Sequence, residues 1–203
     1  MKIICIGRNY AEHAKEMKAA VPTEPVFFLK PDTALIKDDQ AFFYPDFSKD
    51  IHHEVEIVLK ISKPGKNIEE KFASKYYDEI GIGIDFTARD LQAQCKEKGL
   101  PWEKAKAFDG SAPVGRFIDK KKISDLNAIN FKLELNGNLV QKGNTSDLLF
   151  SFDSVIAYVS RFFTLKTGDL IYTGTPEGVG PVKPGDRLIA FIEEEALLNF
   201  EIK

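Results

Sequence analysis

Ile51-His52-His53-Glu54-Val55-Glu56-Ile57-Val58-Leu59, followed further along by Gly81-Ile82-Gly83-Ile84-Asp85-Phe86-Thr87-Ala88-Arg89-Asp90, decides how this chain is read. The first stretch, and the second as far as Phe86, read as strands. Residues i and i+2 of a strand project to one face, so Glu54 and Glu56 present two carboxylates side by side. Asp85 adds a third at the end of the second strand. Three hard oxygen ligands suit Mg²⁺ or Mn²⁺, with Ca²⁺ as a substitute, and leave positions open for water and a chelating ligand. Taken alone, the first stretch also fits an ordinary strand with one wet face, since Val55, Ile57 and Leu59 alternate with Glu54, Glu56 and Lys60.

Working outward, Lys2 to Ile6 reads as a strand and Ala11 to Ala20 as a short charged helix bounded by Pro22. Such a short helix is marginal without tertiary support. Strands broken by Pro31, Pro45 and Pro64 fill Phe27 to Ile61, and another runs from Glu79 to Phe86, where Gly81 and Gly83 leave room for close approach of backbone or ligand. Phe86 stands where a dinucleotide fingerprint needs its third glycine. Thr87 with Asp90 has the spacing of a capping box for a helix reaching about Lys98, which Gly99 ends. Asn136-Gly137 between two apolar runs signals a tight hairpin. Val155, Ile156, Val159, Phe162 and Phe163 form an apolar stripe at helical spacing. Leu170 to Gly174, Arg187 to Ile192 and Leu197 to Ile202 supply closing strands. Many strands with few helices predict a β-rich α+β fold, organised as a single domain over residues 1–203.

A formal charge of −3 with no concentrated basic face argues against nucleic acid as the partner. Lys120-Lys121-Lys122 reads as a solvated turn. Cys5 and Cys95 are too few for a disulfide framework or a zinc motif, and Cys5 is expected to pack as a small hydrophobe. The apolar run Ile3 to Ile6 is far too short for a signal peptide or a membrane span. These features predict a cytoplasmic protein that binds no membrane.

Seven motifs occur in order: Gly7-Arg8-Asn9-Tyr10-Ala11-Glu12-His13, Lys30-Pro31, His53-Glu54-Val55-Glu56, Asp85-Phe86-Thr87-Ala88-Arg89-Asp90-Leu91-Gln92, Lys98-Gly99-Leu100-Pro101-Trp102, Lys106-Ala107-Phe108-Asp109 and Gly174-Thr175-Pro176-Glu177-Gly178-Val179-Gly180-Pro181. Together they resemble the fumarylacetoacetate hydrolase family, in particular its short acylpyruvase and oxaloacetate decarboxylase branch. One departure is Ala107, where serine is more usual. The resemblance implies a mixed β-roll, normally homodimeric, with Glu54, Glu56 and Asp85 as metal ligands. It implies that His13 and Glu16 form a water-activating dyad on a lid and that Lys106 stabilises a developing enolate. Arg89, Gln92 and Thr175 become substrate-binding candidates.

Elementary chemistry is compatible with those roles. His13 and Glu16 are neighbours on a helix surface, where the carboxylate orients the imidazole. Without the resemblance they make an ordinary solvated pair, Lys106 a snorkelling surface lysine, and Arg89 a partner for some outside acid. The loop from Gly174 lacks the Gly-Lys-Ser/Thr ending of a phosphate loop. His52 and His53 are left out of the metal set, because adjacent strand residues face opposite sides. The implied reaction is metal-dependent cleavage of a C–C bond in 2,4-dioxo acids, as acylpyruvate hydrolysis or oxaloacetate decarboxylation through a pyruvate enolate. Keto–enol tautomerisation in aromatic-acid breakdown is the enzymatic alternative. A non-catalytic dimer that binds an oxo acid is the other.

Overall fold

A computed structural model describes residues 1–17 and 20–203. Strands dominate, in mixed sheets, and the fold is the β-rich α+β roll expected from the sequence. The largest sheet has six strands in the order Phe27–Lys30, Ile3–Ile6, Leu170–Tyr172, Val55–Ile61, Tyr77–Ile84, Ile118–Asp119. Ile3–Ile6 and Leu170–Tyr172 run parallel, and every other neighbouring pair is antiparallel. An antiparallel sheet of four strands, Asn138–Asn144, Asn130–Leu135, Arg187–Ile192 and Glu195–Glu201, contributes to the same core. Among the described residues no helix is long and apolar enough to cross a membrane.

The central strand does not alternate between wet and dry faces. Val55, Glu56, Ile57, Val58 and Leu59 are all buried, because neighbouring elements cover both sides of the sheet. Each aliphatic side chain so buried contributes about 1.5–3 kcal/mol, which is what holds the carboxylate of Glu56 out of water. The hairpin at Asn136-Gly137 forms as expected, with φ of 53° and 79°.

Several local expectations are corrected. The first helix covers only Ala11–Glu16, and residues 18 and 19 of the expected helix lie outside the described residues. The strand expected over Glu79 to Phe86 spans Tyr77–Ile84. No capping box opens the helix Arg89–Lys98: Thr87 lies in a short strand, and Asp90 accepts instead from the Ser48 hydroxyl and the Lys49 N–H. Gly99 does end that helix, at φ 61°. The apolar helix is Phe152–Ser160, with Val155, Ile156 and Val159 in the core, whereas Phe162 is 51% exposed beyond its end. Lys120 is docked, donating to the carbonyls of Ser74 and Tyr77, while Lys121 and Lys122 are exposed.

Gly83 admits the Tyr172 side chain and the Pro113–Val114 backbone, so the close approach expected there is by the protein itself and not by a ligand. A Cβ there would stand 2.7 Å from the Tyr172 ring and 2.9 Å from the Pro113 carbonyl oxygen. Tyr172 is fully buried and its hydroxyl is hydrogen-bonded to the carbonyls of Ala112 and Pro113, so it has nowhere to retreat. Gly83→Ala should therefore destabilise the fold by about 1–3 kcal/mol, the usual range for overpacking. A denaturant midpoint equal to that of the wild type would contradict this.

Candidate active site

Register builds the acidic cluster. Val55 pairs with Ile84 and Glu56 with Gly83, while Asp85 N–H donates to the Glu54 carbonyl at 2.8 Å. That places Asp85 beside Glu54 although the sequence separates them widely. Glu54 itself lies between the strands Ile51–His53 and Val55–Ile61 and not within one. The three buried carboxylates each bring an oxygen within 4.8 Å of the others.

Cations surround two of the three. The Lys106 ammonium lies 2.8 Å from both Glu54 Oε2 and Asp85 Oδ2, and Arg89 donates to Glu54 Oε1 at 2.5 Å. Lys30 donates to the carbonyls of Ser111 and Phe86. Its ammonium also stands 2.8 Å from Asp85 Oδ1, but off the hydrogen-bonding direction, so that buried oxygen has an ionic neighbour and no hydrogen bond. Among the described residues Glu56 has no such cation, and it accepts only the Gly174 N–H, at 2.7 Å, from the loop after Leu170–Tyr172.

The electrostatics follow from this asymmetry. Burial opposes ionisation of Glu54, but Lys106 and Arg89 outweigh it and hold its pKa below the ordinary value. Burial, then Asp85 and Glu54, push the Glu56 pKa up. Burial works against the Lys106 ammonium, but Asp85 and Glu54 keep its pKa above that of a free lysine. An all-oxygen donor set, an Asp85 oxygen without a hydrogen bond, and a Glu56 carboxylate lacking a cation together fit a hard divalent ion.

His13 and Glu16 meet as expected, with Nδ1 to Oε2 at 3.2 Å. His13 is buried against the site, and the other Glu16 oxygen accepts the Gly178 N–H at 3.1 Å, tying the helix Ala11–Glu16 to the glycine-rich loop. His13, Glu54, Arg89, Gln92 and Lys106 line one narrow cavity of about 30 Å³. Lys106 is thus a buried cavity residue and no surface lysine. Thr175 stands apart from these: it is buried in the loop, where its Oγ1 accepts from Gln141 Nε2.

Three contributors were not singled out from sequence. Lys30 was visible only as part of a motif. Gly174 holds Glu56 through its N–H at φ 105°, and a Cβ there would lie 2.6 Å from Asn9 Cβ. Gln141 gave no local signal, yet its Oε1 accepts from His53 Nδ1 and Val55 N–H while its amide donates to Thr175 and Pro176. His53 Nδ1 is engaged by that bond and His52 pairs with Asp50, and neither histidine belongs to the carboxylate cluster. Cys5 is fully buried and its thiol is pushed up by burial, consistent with a packing role.

Residues 2–200 match the family model of the fumarylacetoacetate (FAA) hydrolase C-terminal domain. The chain belongs to this family. It is 46% identical to a mitochondrial oxaloacetate tautomerase of Mus musculus, over 99% of this chain and 91% of that one. It is 46% identical to a mitochondrial oxaloacetate decarboxylase of Dictyostelium discoideum, over 91% and 85% of the two chains. Among solved structures, fumarylpyruvate hydrolase from Pseudomonas aeruginosa in complex with Mn²⁺ and pyruvate superposes with a TM-score of 0.94 at 36% identity, covering 100% of this chain and 89% of that one. These three relatives are thus named as enzymes of small oxo acids, and one of them is in complex with a divalent metal.

Proposed function

We propose that this protein is a divalent-metal-dependent enzyme acting on oxaloacetate and similar small 2-oxo acids, with keto–enol tautomerisation as its main reaction and decarboxylation at the same site. The observation that carries the proposal is the buried Glu54, Glu56 and Asp85 cluster with the Lys106 ammonium between two of its members. A Mg²⁺ or Mn²⁺ held by the three carboxylates supplies Lewis-acid polarisation of a keto oxygen.

The protein groups do the rest. Lys106 places a fixed positive charge where the C2 oxygen gains electron density, inside a water-poor site where such a charge is most effective. Glu16 occupies His13 Nδ1, which leaves Nε2 as the proton-accepting atom. In tautomerisation His13 takes a proton from C3, the C–H electron pair becomes the C2–C3 double bond, and the proton returns to the C2 oxygen. In decarboxylation the C3–C4 bond breaks, CO₂ leaves, and the electron pair of that bond becomes the C2–C3 double bond of the pyruvate enolate, which then takes a proton at C3 to give pyruvate. The cavity of about 30 Å³ is smaller than a 2-oxo acid, so the site has to open further for substrate, and we assign that movement to the helix Ala11–Glu16, which carries His13 into it.

Hydrolysis of acylpyruvates is a second reading, favoured by the His13 and Glu16 pair and by the likeness to fumarylpyruvate hydrolase. There His13 would take a proton from water as its oxygen attacks the 4-keto carbon, after which the C3–C4 bond would break to release a carboxylic acid and the pyruvate enolate, protonated at C3 to pyruvate. Purified protein supplied with Mn²⁺ or Mg²⁺ should equilibrate keto and enol oxaloacetate faster than the metal alone, and chelation should abolish the effect. Fumarylpyruvate and acetylpyruvate assayed alongside separate the two readings. Inactivity of the metal-loaded protein on all three substrates would overturn both.

His13 gives a sharper division. Loss of CO₂ needs no base, whereas proton abstraction and water attack do. His13→Ala should cost tautomerisation and hydrolysis about 100-fold or more, the usual size of a general-base effect, and decarboxylation much less. Equal losses in every reaction would remove His13 from the role of base. We also propose a homodimer, the commonest closed assembly. Light scattering should give twice the 22.8 kDa chain mass, and a monomer at all micromolar concentrations would refute it.

A further inference from the structure

We infer that Arg8 and Lys96 form a second carboxylate subsite of the catalytic cavity, which selects dicarboxylic 2-oxo acids over monocarboxylic ones. The inference rests on the function proposed above and adds a substrate class to it. Arg8 lies in the irregular segment between the strand Ile3–Ile6 and the helix Ala11–Glu16, and Lys96 in the last turn of the helix Arg89–Lys98. Both line the cavity that holds His13, Glu54, Arg89 and Lys106.

The distinction among these cations is what they are bonded to. Arg89 and Lys106 are committed to Glu54. Among the described residues neither Arg8 nor Lys96 has a carboxylate within ion-pair distance, though both stand in a cavity already crowded with positive charge. Lys96 is exposed along much of its length, yet its ammonium reaches 5.5 Å from the centre of the Trp102 ring, another wall of the cavity. Desolvation, then the charges of Arg89, Arg8 and Lys106, lower the Lys96 pKa, with Glu54 the opposing influence. An anion entering between Arg8 and Lys96 relieves this mutual repulsion.

Chemistry supplies the fit. A 2-oxo acid engaged through its C1 carboxylate and C2 keto oxygen on the carboxylate-cluster side directs C3 and C4 away from it. In a four-carbon diacid the C4 carboxylate remains to be neutralised. Arginine offers a two-pronged fork for it, and lysine a point charge. Phe28 and Trp102 complete the cavity wall with apolar surface, which strengthens such contacts by excluding water.

The test compares a ligand with the second carboxylate and one without it. For Mn²⁺-loaded wild type, Arg8→Gln, Lys96→Gln and Arg8→Lys, calorimetry gives Kd for pyruvate and steady-state kinetics give KM and kcat for oxaloacetate. Each Gln variant should raise KM for oxaloacetate about tenfold, the size of one charge-assisted hydrogen bond, with pyruvate Kd within about twofold. Arg8→Lys should recover part of the loss. Unchanged KM in both Gln variants, or parallel changes in KM and pyruvate Kd, would overturn the subsite while leaving the proposed function intact. A wild type that binds pyruvate but shows no preference for oxaloacetate would overturn it equally. Failure of the Mn²⁺-loaded wild type to bind pyruvate or turn over oxaloacetate would reject the proposed function and the subsite with it.

Discussion

Asp85→Asn, Glu54→Gln and Glu56→Gln should each weaken Mn²⁺ or Mg²⁺ binding at least about 100-fold and remove most turnover, since even outer partners of metal ligands are worth 10–100-fold in affinity. These amides preserve size and most hydrogen bonding, so the loss reports charge. The variants should differ when no metal is present. Glu54 and Asp85 each compensate buried cations, so neutralising either leaves Lys106, with Arg89 or Lys30, short of an anion. Breaking a buried pair in this way costs about 3–5 kcal/mol. Among the described residues Glu56 has no cation paired with it, and burial beside two carboxylates disfavours its charge. Metal-free Glu56→Gln should therefore be at least as stable as wild type in urea, while the other two fall below it. Adding Mn²⁺ should raise the wild-type Tm and barely move that of the variants, because only a state that binds the ion is stabilised by it. Unchanged calorimetric metal affinity in all three variants would eliminate the site.

Lys106→Met tests electrostatic catalysis separately from metal retention. Methionine fills a similar buried volume but removes the charge facing Glu54 and Asp85. Turnover of oxaloacetate should fall about 10²–10³-fold, as when one preorganised oxyanion donor is lost. Metal-free stability should drop as well, because two buried carboxylates lose their shared partner. Mn²⁺ restores positive charge to the cluster, so it should recover stability in Lys106→Met without recovering turnover. Recovery of both would make Lys106 a structural counter-ion only, and loss of neither would remove it from the site.

How much could be read without coordinates depended on the range of the interaction involved. The Asn136-Gly137 hairpin and the Gly99 helix end were legible because a positive φ is a local requirement that those residues meet cheaply. The capping box at Thr87 failed because its residues had stronger distant partners: Thr87 pairs with His52 in a strand, and Asp90 holds Ser48 and Lys49. Phe162 was misplaced because the helix stops at Ser160, so the apolar stripe outlasts the element that would bury it.

The sequence by itself determined the strand-rich class, the identities of the three acids, and the neighbourhood of His13 and Glu16, since each rests on short spacing or on motif order. Tertiary structure alone decided that both faces of Val55–Leu59 are buried, because that depends on what covers the sheet. It also decided that Asp85 stands beside Glu54, a matter of register between two strands. The supports of the site were hidden for the same reason. Lys30 reaches Asp85, Gly174 reaches Glu56, and Gln141 reaches His53 only after separate segments have converged. Long-range hydrogen bonds and ion pairs leave no periodicity in a chain, because the folded backbone, and not sequence spacing, sets the distance between their partners.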